Sequence, residues 1–377
     1  MYVYRLNGKA FNEFTPKQYF QVVGSNGKYN LNKVNTIHLS GEVGFGITAN
    51  DKHNGLSGNN GVYAITLAID GQTIYTSALE RFSFENSRAI NSHIDYPASI
   101  KQRLSIQKSF VDPGNPLKIY HNLINNGRID FSDGKLHEVK YTLSDAKGNE
   151  SVLAFKVQSD AKAVIQTPEQ PDKPKFPYQQ INEFMNHELK VVFPKGTLYN
   201  DLLFDYKKLP KPQQNAFSAI HQIQNNLTPL HNGFELWIKA DSTLNNFQSK
   251  ALIVNTNRVS QGGYYENGYV KANPRTLGSF FISIDTVAPK IVPLNITNGK
   301  NMANLSKMSF RISDALSGIK NFNGYIDGQW ALMEFDTKTA NLWHTFDERT
   351  MAGKHTFELL VTDMKDNIAR YSIEFYR

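Results

Sequence analysis

Cysteine is absent from this chain of 377 residues. That removes thiolate metal sites, thiol nucleophiles and disulfide bonds from consideration. Also absent is any apolar run near the roughly 20 residues that a membrane-spanning helix needs. Ten histidines stand at 38, 53, 93, 121, 137, 187, 221, 231, 344 and 355. No two are separated by one residue and no His-Glu-x-x-His occurs, so the close pair typical of a tight zinc site is missing. No Gly-x-Ser-x-Gly elbow is present; Gly55-Leu56-Ser57-Gly58 is too short for one. No phosphate-binding glycine loop ends in Lys-Ser or Lys-Thr, and strands do not alternate with long helices as dinucleotide binding requires. The opening Met1-Tyr2-Val3-Tyr4-Arg5-Leu6 reads as a strand and lacks a signal peptide's apolar segment. A chain that opens in a strand fits a natural cytoplasmic start or a piece of something longer.

What is present favours short strands joined by turns. There are 24 Phe and 18 Tyr, with 25 Gly and 15 Pro, a composition that suits pleated, half-buried surfaces and tight reversals. The formal net charge is +7, and the lysines are dispersed. A mildly basic, soluble surface is the plain reading, with attraction to an anionic polymer as the functional alternative. No basic run with interleaved aromatics marks a nucleic-acid face, so nucleic acid is not an expected partner. The lack of cysteine is compatible with an oxidising bacterial envelope.

The chain repeats itself. Gly61-Val62, six residues, then Ile69-Asp70-Gly71-Gln72 recurs as Gly318-Ile319, six residues, then Ile326-Asp327-Gly328-Gln329. Later, Gly134-Lys135 precedes a strand-like run and Asp145-Ala146-Lys147-Gly148-Asn149. The C-terminus answers with Gly353-Lys354, a run, and Asp363-Met364-Lys365-Asp366-Asn367. Turn formers in matching order predict two copies of one β domain. The fold class expected is all-β, with tandem immunoglobulin-like β-sandwich domains.

The expected organisation is a first β-sandwich over 1–158, a proline-rich linker over 159–177, a middle β domain over 178–287, and an immunoglobulin-like sandwich over 288–377 repeating the first. Alternation over 139–143 and 152–157 predicts the first sandwich's closing hairpin. In the middle domain, strands are expected at 189–198, 234–238 and 278–284, and 207–231 reads as a long irregular connection. The first copy carries about 39 extra residues, since Asp70 and Asp145 are 75 positions apart and Asp327 and Asp363 only 36. This insertion falls near 79–117, with a short helix expected over 98–107. It reads either as a binding loop on a rigid sandwich or as a packing elaboration covering a sheet edge.

Candidate chemistry is sparse. His93 and Asp95 are two apart and could share one strand face, with His121 approaching them as a metal or enzymatic cleft; isolated His and Asp more often make structural hydrogen bonds. Glu85, Asp95 and Asp130 are available carboxylates for glycoside cleavage, with nothing to single them out. Asp314 and Asp363, with Asp51 and Asp145 as counterparts, offer oxygens for calcium at a sandwich end, or cap their own turns. Trp237, Trp330 and Trp343 would stack on sugars if exposed, or fill the core.

The stretch Arg81-Phe82-Ser83-Phe84-Glu85-Asn86-Ser87-Arg88-Ala89-Ile90-Asn91-Ser92-His93-Ile94-Asp95-Tyr96, with Gly44-Phe45-Gly46-Ile47, Gly61-Val62-Tyr63 and Leu117-Lys118-Ile119-Tyr120, resembles the C-terminal region of Bacteroidetes-type envelope proteins in the lysostaphin-like zinc peptidoglycan endopeptidase family. In that family a catalytic domain precedes such β domains. Its zinc ligands, a His-x-x-x-Asp and a later His-x-His, do not occur here, so no catalytic or metal residue is carried over and no cofactor is expected. The resemblance implies a non-catalytic accessory region that positions, regulates or anchors an endopeptidase domain, in cis or in trans. The setting would be periplasmic or envelope-associated, and the partner peptidoglycan or an envelope protein. The alternative is a stand-alone carbohydrate- or cell-wall-binding protein. Arg88, Asn91, His93 and Asp95 are the expected contact surface.

Overall fold

The computed structural model describes residues 1–52, 59–160, 173–212 and 214–377. The chain is all-β, built as β-sandwiches in series, with three separate hydrophobic cores each drawn from two facing sheets. In the first, Val3, Val43 and Phe45 of one sheet meet Leu67, Tyr141 and Val157 of the other. In the middle, Leu189, Val191 and Leu236 meet Ile253, Phe280 and Ile282. In the third, Phe310, Ile312 and Leu342 meet Phe357, Leu359 and Phe375. Strand Leu136–Ser144 shows the cause: Val139, Tyr141 and Leu143 are buried while the residues between them are not, because successive side chains of a strand point to opposite faces.

The internal repeat is structural down to single bonds. Strand Ala64–Ile69 turns through Asp70 and Gly71 into Gln72–Ala78, and strand Ile319–Ile326 turns through Asp327 and Gly328 into Gln329–Ala331. All four turn residues have positive φ, between 49° and 81°. That is the type I′ geometry whose twist matches a hairpin. The closing hairpins Leu136–Ser144/Glu150–Ser159 and Lys354–Asp363/Ile368–Tyr376 also correspond, and in each the last strand pairs in parallel with a strand near the start of its domain.

Three local expectations meet a different structure. The insertion's helix is Tyr96–Gln102, not 98–107. Asp95 accepts a hydrogen bond from the Ala98 N–H at 2.9 Å, and Pro97 sits in the first turn, which sets the start; Arg103, at φ 55°, ends it. Gln107–Lys108 is instead a strand on the edge of Gly41–Ile47. The stretch 207–231 is not wholly irregular: Tyr206–Leu209 and Ile220–Ile223 pair with each other, and the latter with Gly278–Ile284. Lys207, Lys208 and Leu209 face outward while only His221 and Ile223 are buried, so the alternation is short. Lys175–Phe176, within the proline-rich stretch, forms a strand with Leu202–Leu203, and Phe176 stacks on Phe204 at 4.5 Å in the middle core. Residues 161–172 of that stretch lie outside the described residues.

Candidate functional site at the domain joints

The insertion faces the middle domain. A 3₁₀ turn, Phe84–Ala89, delivers Arg88 across the boundary. Its Nε donates to the Leu230 carbonyl at 3.0 Å, and a second guanidinium nitrogen donates to the Arg275 carbonyl. In return, the Tyr199 hydroxyl donates to the Arg88 carbonyl at 3.1 Å. The Gly114 N–H donates to the Tyr199 carbonyl at 2.8 Å. A Cβ on Gly114 would lie 2.9 Å from the carbonyl oxygens of both Leu198 and Tyr199, so the approach requires glycine. Ala89, Leu117 and Ile119 bury their side chains against Tyr199.

Behind this contact lies a buried charged network. Lys108 and Asp112 form an ion pair at 2.8 Å, with side chains only 1% and 6% exposed. Ser92 donates to Asp112 Oδ2 at 2.7 Å, and Asn200 of the middle domain reaches Oδ1 at 3.3 Å. A buried ion pair is tolerable only when its remaining hydrogen-bonding capacity is met, and here part of it is met from across the joint.

The residues read from the sequence as a contact surface divide. Arg88 is half-buried and reaches the middle domain. Asn91 is half-buried on the short helix Ile90–His93. His93 is buried, its Nδ1 lies 3.2 Å from the Tyr120 hydroxyl, and burial, with Lys108 adding to it, pushes its pKa down to about 4. Asp95 is buried and accepts from the Tyr4 hydroxyl at 2.9 Å, Lys17 Nζ at 2.7 Å and the Ala98 N–H. Both are therefore held by partners within the first domain. His121 is exposed on strand Tyr120–His121 and joins no metal-ligating group among the described residues. Glu85 and Asp130 are exposed and Asp95 is buried. Trp237 lies half-buried under Lys271 and Lys190, at 3.7 and 5.3 Å; Trp343 lies half-buried near Lys307, and Trp330 is exposed.

The second joint links the middle and third domains. Asp285, after strand Gly278–Ile284, lies with Asp314 and Asp363, one carboxylate oxygen of each within 4.8 Å of the others. Five of the six carboxylate oxygens, all but Asp314 Oδ1, accept hydrogen bonds within the chain. Asp285 accepts from the N–H groups of Val287 and Ser317, and Asp314 from those of Leu316 and Gly318. Asp363 accepts from the N–H groups of Lys365 and Asn367 and from Asn367 Nδ2. Two lysines cross the joint: Lys365 donates to the Gly263 carbonyl and Lys250 to the Lys365 carbonyl, both at 2.6 Å. Asn367 Nδ2 also donates to the Asp285 carbonyl at 3.0 Å. Burial lowers the Lys365 pKa, opposed by Asp285 and Asp363. The cluster thus finds its balancing donors within the chain. Sequence reasoning reached Asp314 and Asp363 but missed Asp285, Lys250, Tyr199 and Asp112, whose roles arise only when two domains meet.

Fold and site together define a multidomain β-sandwich protein whose most elaborate chemistry sits at its joints. Residues 173–285 match the Zu5-like domain family. No curated protein matches the chain. Among solved structures, fibronectin(III)-like modules of Clostridium thermocellum CbhA are 10% identical over 46% of this chain and 93% of theirs, with a TM-score of 0.21. The extracellular domain of a hybrid two-component system from B. thetaiotaomicron is 10% identical over 63% of this chain and 36% of its own, with a TM-score of 0.21. A bacterial ice-binding adhesin is 10% identical over 91% of this chain and 93% of its own, with a TM-score of 0.16. Likeness this loose says nothing of function; the sandwich assignment rests on the sheets themselves. No helix among the described residues is long and apolar enough to cross a membrane.

Proposed function

We propose that the chain is a non-catalytic arm of β-sandwich domains that holds a neighbouring functional domain at a fixed distance and orientation. The single observation that carries this reading is the direction of the insertion. Among its distinctive residues Arg88 binds two carbonyls of the middle domain, and Tyr199 binds the Arg88 carbonyl in return. A chain whose two joints are both crossed by charged side chains hydrogen-bonded to main-chain carbonyls suits positioning. The match of the middle domain to a non-catalytic domain family supports it. The resemblance of residues 81–96 supplies the setting: a bacterial envelope, with a zinc peptidoglycan endopeptidase domain as the element positioned, in cis or in trans.

The test is incubation of the purified chain with isolated peptidoglycan sacculi, with and without zinc. No released fragments and no retention through high salt are expected. Zinc-dependent cleavage would overturn the reading. Retention that survives high salt would favour the wall-binding alternative, because attraction through dispersed lysines is screened by salt.

A further inference from the structure

The two copies of the repeat share a turn that the middle domain covers in the third domain and that, among the described residues, no other domain covers in the first. In the third domain, Asp363 Oδ1 accepts the N–H groups of Lys365 and Asn367 at 2.8 and 2.9 Å, and Oδ2 accepts Asn367 Nδ2 at 2.7 Å. In the first domain, Asp145 Oδ1 accepts the N–H groups of Lys147 and Asn149 at 2.8 and 2.9 Å, and Oδ2 accepts Asn149 Nδ2 at 2.7 Å. The turns are locally the same object.

Their surroundings differ. Asp363 is fully buried and Lys365 nearly so, because the middle domain abuts them. Lys365 reaches the Gly263 carbonyl, and the second amide hydrogen of Asn367 reaches the Asp285 carbonyl. Lys147 and Asn149 are exposed and, among the described residues, have no partner outside their own turn. Beside them opens a cavity of about 430 Å³, lined in part by Met1, Ile47, Asp51, Val62 and Asp145. The framework is again equivalent: strand Tyr2–Arg5 pairs with Gly41–Ile47 as strand Lys290–Pro293 pairs with Lys307–Ser313.

We propose that the Asp145–Lys147–Asn149 end of the first domain is a docking face for the end of a further β domain. That partner presents main-chain carbonyl oxygens to Lys147 and to the free amide hydrogen of Asn149, as the middle domain presents Gly263 and Asp285 to Lys365 and Asn367. This rests on the scaffold reading and names its contact. The occupied face of the same chain specifies the occupant: a domain end rich in acceptors, with a cationic side chain that reaches the Lys147 carbonyl as Lys250 reaches that of Lys365.

The test duplicates residues 173–289 ahead of Met1 in the full chain, so that the same domain end precedes both copies of the turn. Lysine acylation followed by mass spectrometry reads the result, with buried Lys365 as the protected standard and exposed Lys101 as the open one. Lys147 is expected to label at least about tenfold more slowly than in the parent chain. Lys147 labelling at the parent rate, with Lys365 still protected, would overturn the proposal. X-ray scattering is the second reading. The duplicated chain is expected to be one extended rigid particle, and Lys147→Glu with Asn149→Ala to broaden it without lowering its unfolding temperature; a particle already broad before substitution counts against docking. Failure of the scaffold reading would show separately, as wall cleavage or as loss of Lys365 protection in the parent.

Discussion

Tyr199 donates its hydroxyl to the main-chain carbonyl of Arg88 at 3.1 Å, while Arg88 donates its guanidinium to two carbonyls on Tyr199's own domain. Each domain thus grips the other's backbone. Replacing Arg88 by Ala removes two charge-assisted bonds and leaves carbonyls at a partly closed surface. The coupling between the first two domains should fall by roughly 1–3 kcal/mol. Differential scanning calorimetry should then resolve a single transition into separate ones. An unchanged single transition would place the coupling elsewhere.

Asp95 ties a helix start to the first strand and to Lys17. Asp95→Ala removes an N-cap and the acceptor of a buried tyrosine hydroxyl. The expected loss is about 2–4 kcal/mol from the first domain alone, read in urea unfolding. Lys17 is 30% exposed in the pair, so water partly relieves its lost partner and keeps the figure below that of a sealed ion pair.

Lys108 and Asp112 are such a sealed pair. Lys108→Met leaves the carboxylate with Ser92 and Asn200 only, at an expected cost of about 3–5 kcal/mol. Adding Asp112→Asn should recover a substantial part, since an amide still serves Ser92 and Asn200. A double-mutant cycle in which the two losses simply add would show the pair to be uncoupled.

Two kinds of histidine give opposite pH responses. His137 bonds Asp133 and Asp70, and its pKa is raised by the hydrogen bond to Asp133 first and then that to Asp70. His355 is raised too: burial opposes, and the bonds to Asp327 and the Met351 carbonyl prevail. Their contribution is complete below the unfolded histidine value near 6.5 and is lost as pH rises through the higher folded value. The partner Asp327 is lowered, chiefly by His355, so its share is lost only as pH falls through a value below the ordinary 3.8. His93, held down to about 4, behaves the other way. Its neutral form contributes fully above about pH 6.5, and the first domain loses stability as pH falls from there towards 4. At about 1.4 kcal/mol per pH unit that loss is on the order of 3 kcal/mol. Unfolding temperatures from pH 4 to 8 should therefore flatten on the acid side in His93→Gln and on the alkaline side in His137→Gln with His355→Gln.

The architecture was legible because the repeated residues carry their own geometry. Asp70-Gly71 and Asp327-Gly328 demand a tight reversal wherever they occur, and Asp145 and Asp363 fold their turns with bonds spanning five residues. The placement of the insertion followed from counting between those fixed points. The partners of its residues did not. Asp95 finds Tyr4, 91 positions away, and Arg88 finds Leu230, 142 positions away; spacing encodes neither. The bounds of helix Tyr96–Gln102 rest on Asp95 accepting the Ala98 N–H and on Arg103 at φ 55°, which composition alone does not mark. Strands Tyr206–Leu209 and Ile220–Ile223 were obscured by exposed lysines, prolines and amides around a short buried alternation.

At both joints the acceptors that cross the boundary are largely main-chain oxygens: Leu230, Arg275, Arg88, Tyr199, Gly263 and Asp285. Every residue type owns that atom. Loops on the receiving side are thus free to drift in composition so long as their path is kept, and the demand for particular side chains falls on a few donors, Arg88, Tyr199, Lys250, Lys365 and Asn367. Chains built to this plan should diverge rapidly over most of their surface while continuing to meet at the same angle.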